Sequence, residues 1–254
     1  MIIEHDDMSS ERPPYQLHPV TVKRCQRVSP HMKRITIDGS CLSTLRLGLP
    51  AQWFKLFVPL GDDQRSNGRA YTVRSFDQAT QELDIDLFLH GDSGPVSAWA
   101  ERAQVGDGFE ISDVHPRSGF SIDPATEHYL LFGDETALPA IGAILEALPA
   151  HAKAHVFAEV ATPAERQELA SPAALSATWL FREDNARASA MPLEAAARSA
   201  QIPAGVTAIW VAAESTEVAA IRKLLLKERG IDRANLHATG YWKRGEADHR
   251  DEEA

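Results

Sequence analysis

Apolar and polar positions alternate with a period of two through the first half of the chain. The clearest run is Gln81 to His90. Leu83, Ile85, Leu87 and Leu89 fall on one side, and Glu82, Asp84, Asp86 and Phe88 on the other, the pattern of a half-buried strand. Leu17–Val28 and Met32–Asp38 are rich in β-branched residues between polar ones and are separated by Ser29-Pro30, so they predict two more strands. Gln52–Val58, Ala70–Phe76 and Phe109–Ser112, the last opened by Gly106-Asp107-Gly108, bring the count to six and predict a small antiparallel barrel. One helix is expected among them, over Pro95–Ala103. Ser93-Gly94-Pro95 starts it with a small capping residue and a proline in the first turn.

Beyond Ser121-Ile122-Asp123-Pro124 the pattern changes. Strand-like runs at His128–Phe132, Ala154–Val160, Thr178–Arg182, Thr207–Ala212 and Asn235–Thr239 alternate with helical ones. Those helices are expected at Ala137–Leu148, Pro163–Ala170, Met191–Ala200 and Thr216–Arg229. Such βαβα order predicts a parallel sheet covered by helices on both faces. The chain therefore reads as a two-domain protein, all-β plus α/β, with a barrel over 17–122 and a parallel-sheet domain over 123–245. Residues 1–16 and the acidic segment 246–254 are expected to be disordered tails.

Composition narrows the function. A net charge of −10 disfavours a general nucleic-acid or anionic-membrane surface. Hydrophobic content of 44% with 24% charged residues fits a soluble globular protein. No run reaches the roughly 18 apolar residues of a membrane span, and Met1–Pro14 has no signal-peptide apolar core, so a cytoplasmic location is expected. Cys25 and Cys41, the two cysteines, give no disulfide framework and point to a reducing compartment. No Cys-x-x-Cys or His/Cys quartet predicts a metal site. No Gly-x-Ser-x-Gly or Ser-His-Asp order suggests a hydrolase.

The stretch with the most chemistry is Gly68-Arg69-Ala70-Tyr71-Thr72-Val73-Arg74-Ser75-Phe76. As a strand it places Arg69, Tyr71 and Val73 on one side and Ala70, Thr72 and Arg74 on the other. A guanidinium on each face, beside an aromatic ring and a hydroxyl, suits a ligand that is anionic at one end and flat at the other. Arginine forks bind phosphate bidentately, and a tyrosine ring offers a stacking face. An edge strand with solvated arginines fits the same spacing. The helix start at Gly94-Pro95 would add free amides suited to phosphate, so Arg69, Arg74 and this cradle could hold a pyrophosphate; a short helix plugging a barrel end is the other reading. In Gly133-Asp134-Glu135-Thr136-Ala137-Leu138-Pro139, Asp134 or Thr136 could simply cap the next helix. Two acidic residues there would repel phosphate.

Arg-x-Tyr-Thr-x-Arg resembles the flavin-binding signature of ferredoxin-reductase-like flavoproteins. The wider text resembles the siderophore-interacting protein family of ferric-siderophore reductases, through Lys55-Leu56-Phe57-Val58-Pro59, His90–Ala100, Asp134-Glu135-Thr136-Ala137-Leu138-Pro139-Ala140 and Gly240-Tyr241-Trp242-Lys243-Arg244-Gly245. The resemblance spans about Val20 to Gly245. It implies FAD, with FMN less favoured, held by Arg69, Tyr71, Thr72, Arg74, His90, Gly91, Gly94, Pro95 and Ser97. The loop with Asp134, Thr136 and Ala137 would lie near the flavin and nicotinamide. It implies a ferric siderophore bound near Lys55, Lys243, Arg244 and Arg250, with NAD(P)H or a reduced ferredoxin as electron donor. Iron would be reduced inside its chelate by the flavin, with no side-chain acid, base or nucleophile and no protein-bound metal. A monomer is expected.

The second domain lacks Gly-x-Gly-x-x-Gly, the usual dinucleotide fingerprint. Two departures from the family stand out. Asp113–Gly119 stands where relatives read closer to Gly-Pro-Arg-Gly, and Ala213 replaces a glycine before Glu214. Two other readings stay open: a general flavin reductase or electron-transfer flavoprotein acting on another acceptor, and a carrier of flavin or ferric siderophore without turnover.

Overall fold

A computed structural model describes residues 16–62, 64–91, 94–183 and 191–246. Both expected tails, with Arg250 and Ser93, lie outside the described residues, apart from Gln16 and Glu246.

The first part holds β1 (Leu17–Ser29), β2 (Met32–Asp38), β3 (Trp53–Phe57), β4 (Pro59–Gly61), β5 (Gln64–Arg65), β6 (Arg69–Thr72), β7 (Ser75–Asp77), β8 (Glu82–Phe88), α1 (Pro95–Arg102) and β9 (Gly108–Ser112). Seven of these strands form one antiparallel sheet in the order β6-β3-β9-β1-β2-β8-β7, and β4-β5 make a separate hairpin. The expected six-stranded barrel is thus a seven-stranded sheet whose hydrogen-bonded ladder does not close. The cause lies at Val73 and Arg74, where the single expected strand breaks in two. Val73 N–H donates to Gln52 O on the β3 side at 2.8 Å, and the next amide, Arg74 N–H, donates to Asp84 O on β8 at 2.9 Å. Two consecutive residues thereby serve the two opposite edges, and the chain crosses between them in one step.

The period-two pattern of β8 survives intact. Leu83, Ile85 and Leu87 are fully buried, joined by Ile35, Ile37, Phe54 and Leu56. Burial of side chains of this size stabilises by about 1.5–3 kcal/mol each. On the other face, Asp86 is buried as well because Arg34 grips it with two hydrogen bonds, at 2.6 and 2.7 Å. The short helix α1 would be marginal alone. It is held by burying Val96 and Ala100 in the sheet's core.

The second part holds β10 (His128–Gly133), α2 (Leu138–Ala147), β11 (Lys153–Val160), β12 (Ala174–Phe181), α3 (Pro192–Ser199), β13 (Thr207–Glu214), α4 (Ser215–Lys223) and β14 (Leu236–Trp242). Its five strands are parallel, in the order β12-β11-β10-β13-β14. The helix α2 packs Ile141, Ile144 and Leu145 on one face with Leu131, Val156 and Trp210. On the other face α3 and α4 pack Leu193, Ala197, Val218 and Ile221 against Leu130, Phe132 and Val211. The helix expected over Pro163–Ala170 is a single 3-10 turn, Pro163–Glu165. Proline starts it, but the apolar positions are too few to bury a longer face. Its Glu165, 3% exposed, reaches the first sheet and accepts from Ser29 Oγ at 2.6 Å and His31 N at 3.1 Å.

Gly133, at the end of β10, has no room for a side chain. A Cβ there would stand 2.7 Å from Ala137 Cβ, 2.9 Å from Ile141 Cδ1 and 3.1 Å from Ala212 O. Gly133→Ala is expected to destabilise the protein by about 1–3 kcal/mol, as overpacking does. Denaturant unfolding of the two proteins measures this, and equal midpoints would contradict the packing described.

Candidate functional site

Among the described residues the edge strand β6 pairs only with β3, placing Thr72 opposite Trp53, Tyr71 opposite Phe54 and Arg69 opposite Leu56. Tyr71 packs against the core of the first sheet, and burial, opposed by the nearby Arg69 charge, pushes its phenol up to about 12. It therefore stays a neutral ring with a proton to donate. Arg69 is half-buried beside it. Lys55, on β3 between Phe54 and Leu56, is 3% exposed, with its Nζ 3.4 Å from Gly68 O just ahead of β6. Its alkyl stem is long enough to bury while the charge turns toward a backbone carbonyl. The loop Asp113–Gly119 lies against the same strand pair: His115 stacks on Trp53 at 4.4 Å and donates its backbone N–H to Trp53 O at 2.8 Å.

The helix α1 begins at Gly94, which has no side chain to cap it, with Pro95 in its first turn. Ser97 accepts from His90 N at 3.1 Å, which ties the end of β8 to this helix start, and Gly91 between them adopts φ +73°. At the opposite end, the buried Lys33 donates to Ala100 O and Ala103 O, both at 2.8 Å. A cation on the C-terminal carbonyls aligns with the helix dipole. Lys33 was not singled out in the sequence; a lysine in an apolar strand, two residues from Ile35, was the available signal.

Arg74, expected to join Arg69 on a phosphate, meets an acid of the second domain. Its guanidinium makes two hydrogen bonds to Glu146 of α2, at 2.6 and 3.1 Å, and lies 4.0 Å from Asp86. It rests on Gly142, where a Cβ would stand 2.8 Å from Arg74 Nε. Arg74 thus joins the two sheets. Glu146 lies 72 residues away in sequence, so this pairing was not visible there.

The second domain answers β6 with the end of β14. Tyr241 is hydrogen-bonded to the Thr72 hydroxyl, and burial raises its pKa well above the usual phenol range. Trp242, 37% exposed, donates its indole N–H to Asp134 Oδ2 at 2.7 Å. Asp134 Oδ1 accepts from both Thr136 N and Thr136 Oγ1, at 2.9 and 2.6 Å. Burial raises the Asp134 pKa against the pull of those bonds. Asp134 and Thr136 thus close their own turn and hold Trp242, while Ala137 is fully buried beneath them. Lys243 pairs with Glu246, and Arg244 N–H donates to Glu214 Oε1 at 3.3 Å.

The carboxyl ends of the parallel strands carry a cluster of acids. Arg182 bridges Glu135 and Glu159. Burial works against its charge, but these two partners outweigh burial and raise its pKa. Burial raises the Glu159 pKa, with Arg182 opposing and Asp134 and Glu135 reinforcing. Glu214 accepts from Thr216 N at 2.7 Å and Glu217 N at 3.2 Å, capping α4. Glu217 accepts from Leu193 N at 2.9 Å and Glu194 N at 3.1 Å at the start of α3. Burial and the neighbouring Glu159 push Glu217 up to about 7.

An antiparallel sheet bearing Arg-x-Tyr-Thr at its edge, followed by a parallel α/β domain, is the layout of flavin-dependent reductases. Residues 21–67 and 60–118 match the family domain described as Siderophore-interacting FAD-binding domain, and residues 126–245 match Siderophore-interacting protein. The chain belongs to the siderophore-interacting protein family. It is 31% identical over 242 residues to the ferric vibriobactin reductase ViuB of Vibrio cholerae, covering 87% of this chain and 88% of that protein. A siderophore utilization protein from T. fusca is similar with a TM-score of 0.81 and 35% identity, over 94% of this chain and 97% of that one. The siderophore-interacting protein SipS from Aeromonas hydrophila gives a TM-score of 0.78 and 32% identity, over 93% and 95%.

A carboxyl whose pKa rises from 4.5 to about 7 on folding adds stability that is complete below the lower value and lost as pH climbs through the higher one. Glu217→Gln has no such dependence. The wild-type denaturation midpoint is expected to fall relative to that of Glu217→Gln between pH 5 and pH 7.5, and parallel curves would refute the shift.

Proposed function

We propose that this chain is an FAD-dependent ferric-siderophore reductase that reduces Fe(III) within a bound chelate and so releases iron. The single observation that carries this reading is the grouping of Arg69, Tyr71 and Thr72 on the edge strand β6, in a chain whose residues 21–118 and 126–245 match the siderophore-interacting family. These residues fit FAD: a half-buried guanidinium and a helix that starts on a glycine suit a diphosphate, and the neutral Tyr71 ring suits a flat heterocycle. Arg69 would bind phosphate together with the amides that follow Gly94, and Lys33 would hold α1 in place from its far end. Thr72, fixed by Tyr241, would present its oxygen to the flavin edge. His90 and Gly91 would border the cofactor. Arg74 is better suited to hold the two domains together than to bind phosphate.

When bound, FAD supplies the electron transfer, and the protein supplies position and electrostatics. Hard oxygen ligands hold Fe(II) less tightly than Fe(III), so reduction itself loosens the metal from its chelate. No side-chain acid or base is required. Lys243 and Arg244, at the exposed end of β14, would offer positive charge to an anionic ferric chelate. Lys55 would contribute only through the field of its buried ammonium. The donor is NAD(P)H or a reduced ferredoxin. No helix among the described residues is long and apolar enough to cross a membrane. The proposal places the enzyme in the cytoplasm as a monomer.

The test is anaerobic absorbance on the FAD-reconstituted protein. Photoreduced flavin is expected to reoxidise on addition of a subset of hydroxamate, carboxylate or catecholate ferric chelates, with matching Fe(II) captured by a chromogenic trap. Reoxidation by none of them would overturn the reductase reading. Arg69→Ala is expected to weaken FAD binding about 10- to 100-fold, the loss of one charge-assisted contact; unchanged affinity would remove Arg69 from the site.

A further inference from the structure

In an open α/β sheet a dinucleotide binds beyond the carboxyl ends of the strands, its diphosphate on the amides of a helix N-terminus. In this chain those amides are already occupied by the protein's own acids. Glu214 takes Thr216 N and Glu217 N at the start of α4. Glu217 takes Leu193 N and Glu194 N at the start of α3. Asp134 takes Thr136 N in the turn after β10, and Glu135 takes Ala161 N, at 2.7 Å, past the end of β11. The start of α2 is sealed by burial, with Ala137, Leu138 and Ala140 at most 2% exposed.

A second observation points the same way. Glu159, 6% exposed, has an oxygen, Oε2, that is buried without a hydrogen-bond partner. Its other oxygen takes Arg182, whose guanidinium is shared with Glu135. A diphosphate or a 2′-phosphate here would meet this oxygen and a cation already neutralised twice.

We propose that Glu135, Glu214 and Glu217 are specificity-determining residues that close the α/β crevice to NAD(P)H, and that the reducing electrons come from a one-electron carrier protein of the iron–sulfur type. This rests on the flavin reading above. An outer-sphere donor needs only to approach the flavin edge and requires no diphosphate cradle. The balance is unchanged: two electrons from two reduced carriers, with two protons from water, replace one hydride and one proton, and two ferric chelates each accept one electron.

Calorimetric titration of the full chain with NADH, NADPH and ADP, with and without FAD, tests the first half. No saturable binding below about 1 mM is expected, and saturable binding of either dinucleotide that ADP competes away overturns it. In the double variant Glu214→Ala/Glu217→Ala, checked for an unchanged fold by circular dichroism, dinucleotide affinity is expected to rise at least tenfold. Where that variant does not fold, the wild-type titration decides alone. Stopped-flow bleaching of the holoprotein tests the second half. A photoreduced [2Fe–2S] ferredoxin at 10 µM is expected to reduce the flavin faster than 1 mM NADPH or NADH; the reverse order overturns the donor assignment. Chelate-driven reoxidation of photoreduced flavin uses neither donor, so it keeps a failure of this inference separate from a failure of the reductase reading.

Discussion

The seam at Val73 and Arg74 is the constraint on which the rest of this molecule depends. Adjacent amides hydrogen-bond to β3 on one side and to β8 on the other. The sheet must therefore curl until its two edges stand one residue apart. This leaves β6 as an edge strand with Arg69, Tyr71 and Thr72 accessible to a ligand, and it turns the Arg74 side chain away from them toward α2. One backbone break thus creates the candidate flavin edge and a tie between the domains. Gly142 completes that tie, since any side chain on that turn of α2 would displace the guanidinium.

The two domains treat their helix starts in opposite ways. In the first, Lys33 neutralises the carbonyl end of α1, and the helix starts on Gly94, a residue with no side chain to cap it. In the second, the amides at the starts of α3 and α4 are held by Glu217 and Glu214. A buried N–H must be paired with something. Pairing it with a resident carboxylate stabilises the domain and removes the site. The parallel sheet then serves chiefly as a platform, presenting Tyr241 to Thr72 and holding Trp242 on Asp134.

The sequence by itself determined the local elements and the layering. The alternation of β8 put Leu83, Ile85 and Leu87 inside because a strand's period is fixed by backbone geometry. The βα alternation after Asp123 was enough to imply a parallel sheet. Arg69, Tyr71 and Thr72, close together on one short strand, were legible as a site for the same local reason. Only the tertiary structure decided what was set by partners far along the chain. Arg74 met Glu146, Lys33 met the end of α1, and Glu217 met the start of α3. Lys55 alternates with the buried Phe54 and Leu56 along β3, yet the fold buries it as well, because the β5–β6 loop lies over that face. Periodicity reports which side of an element a residue occupies, and the curvature of the sheet decides what that side meets.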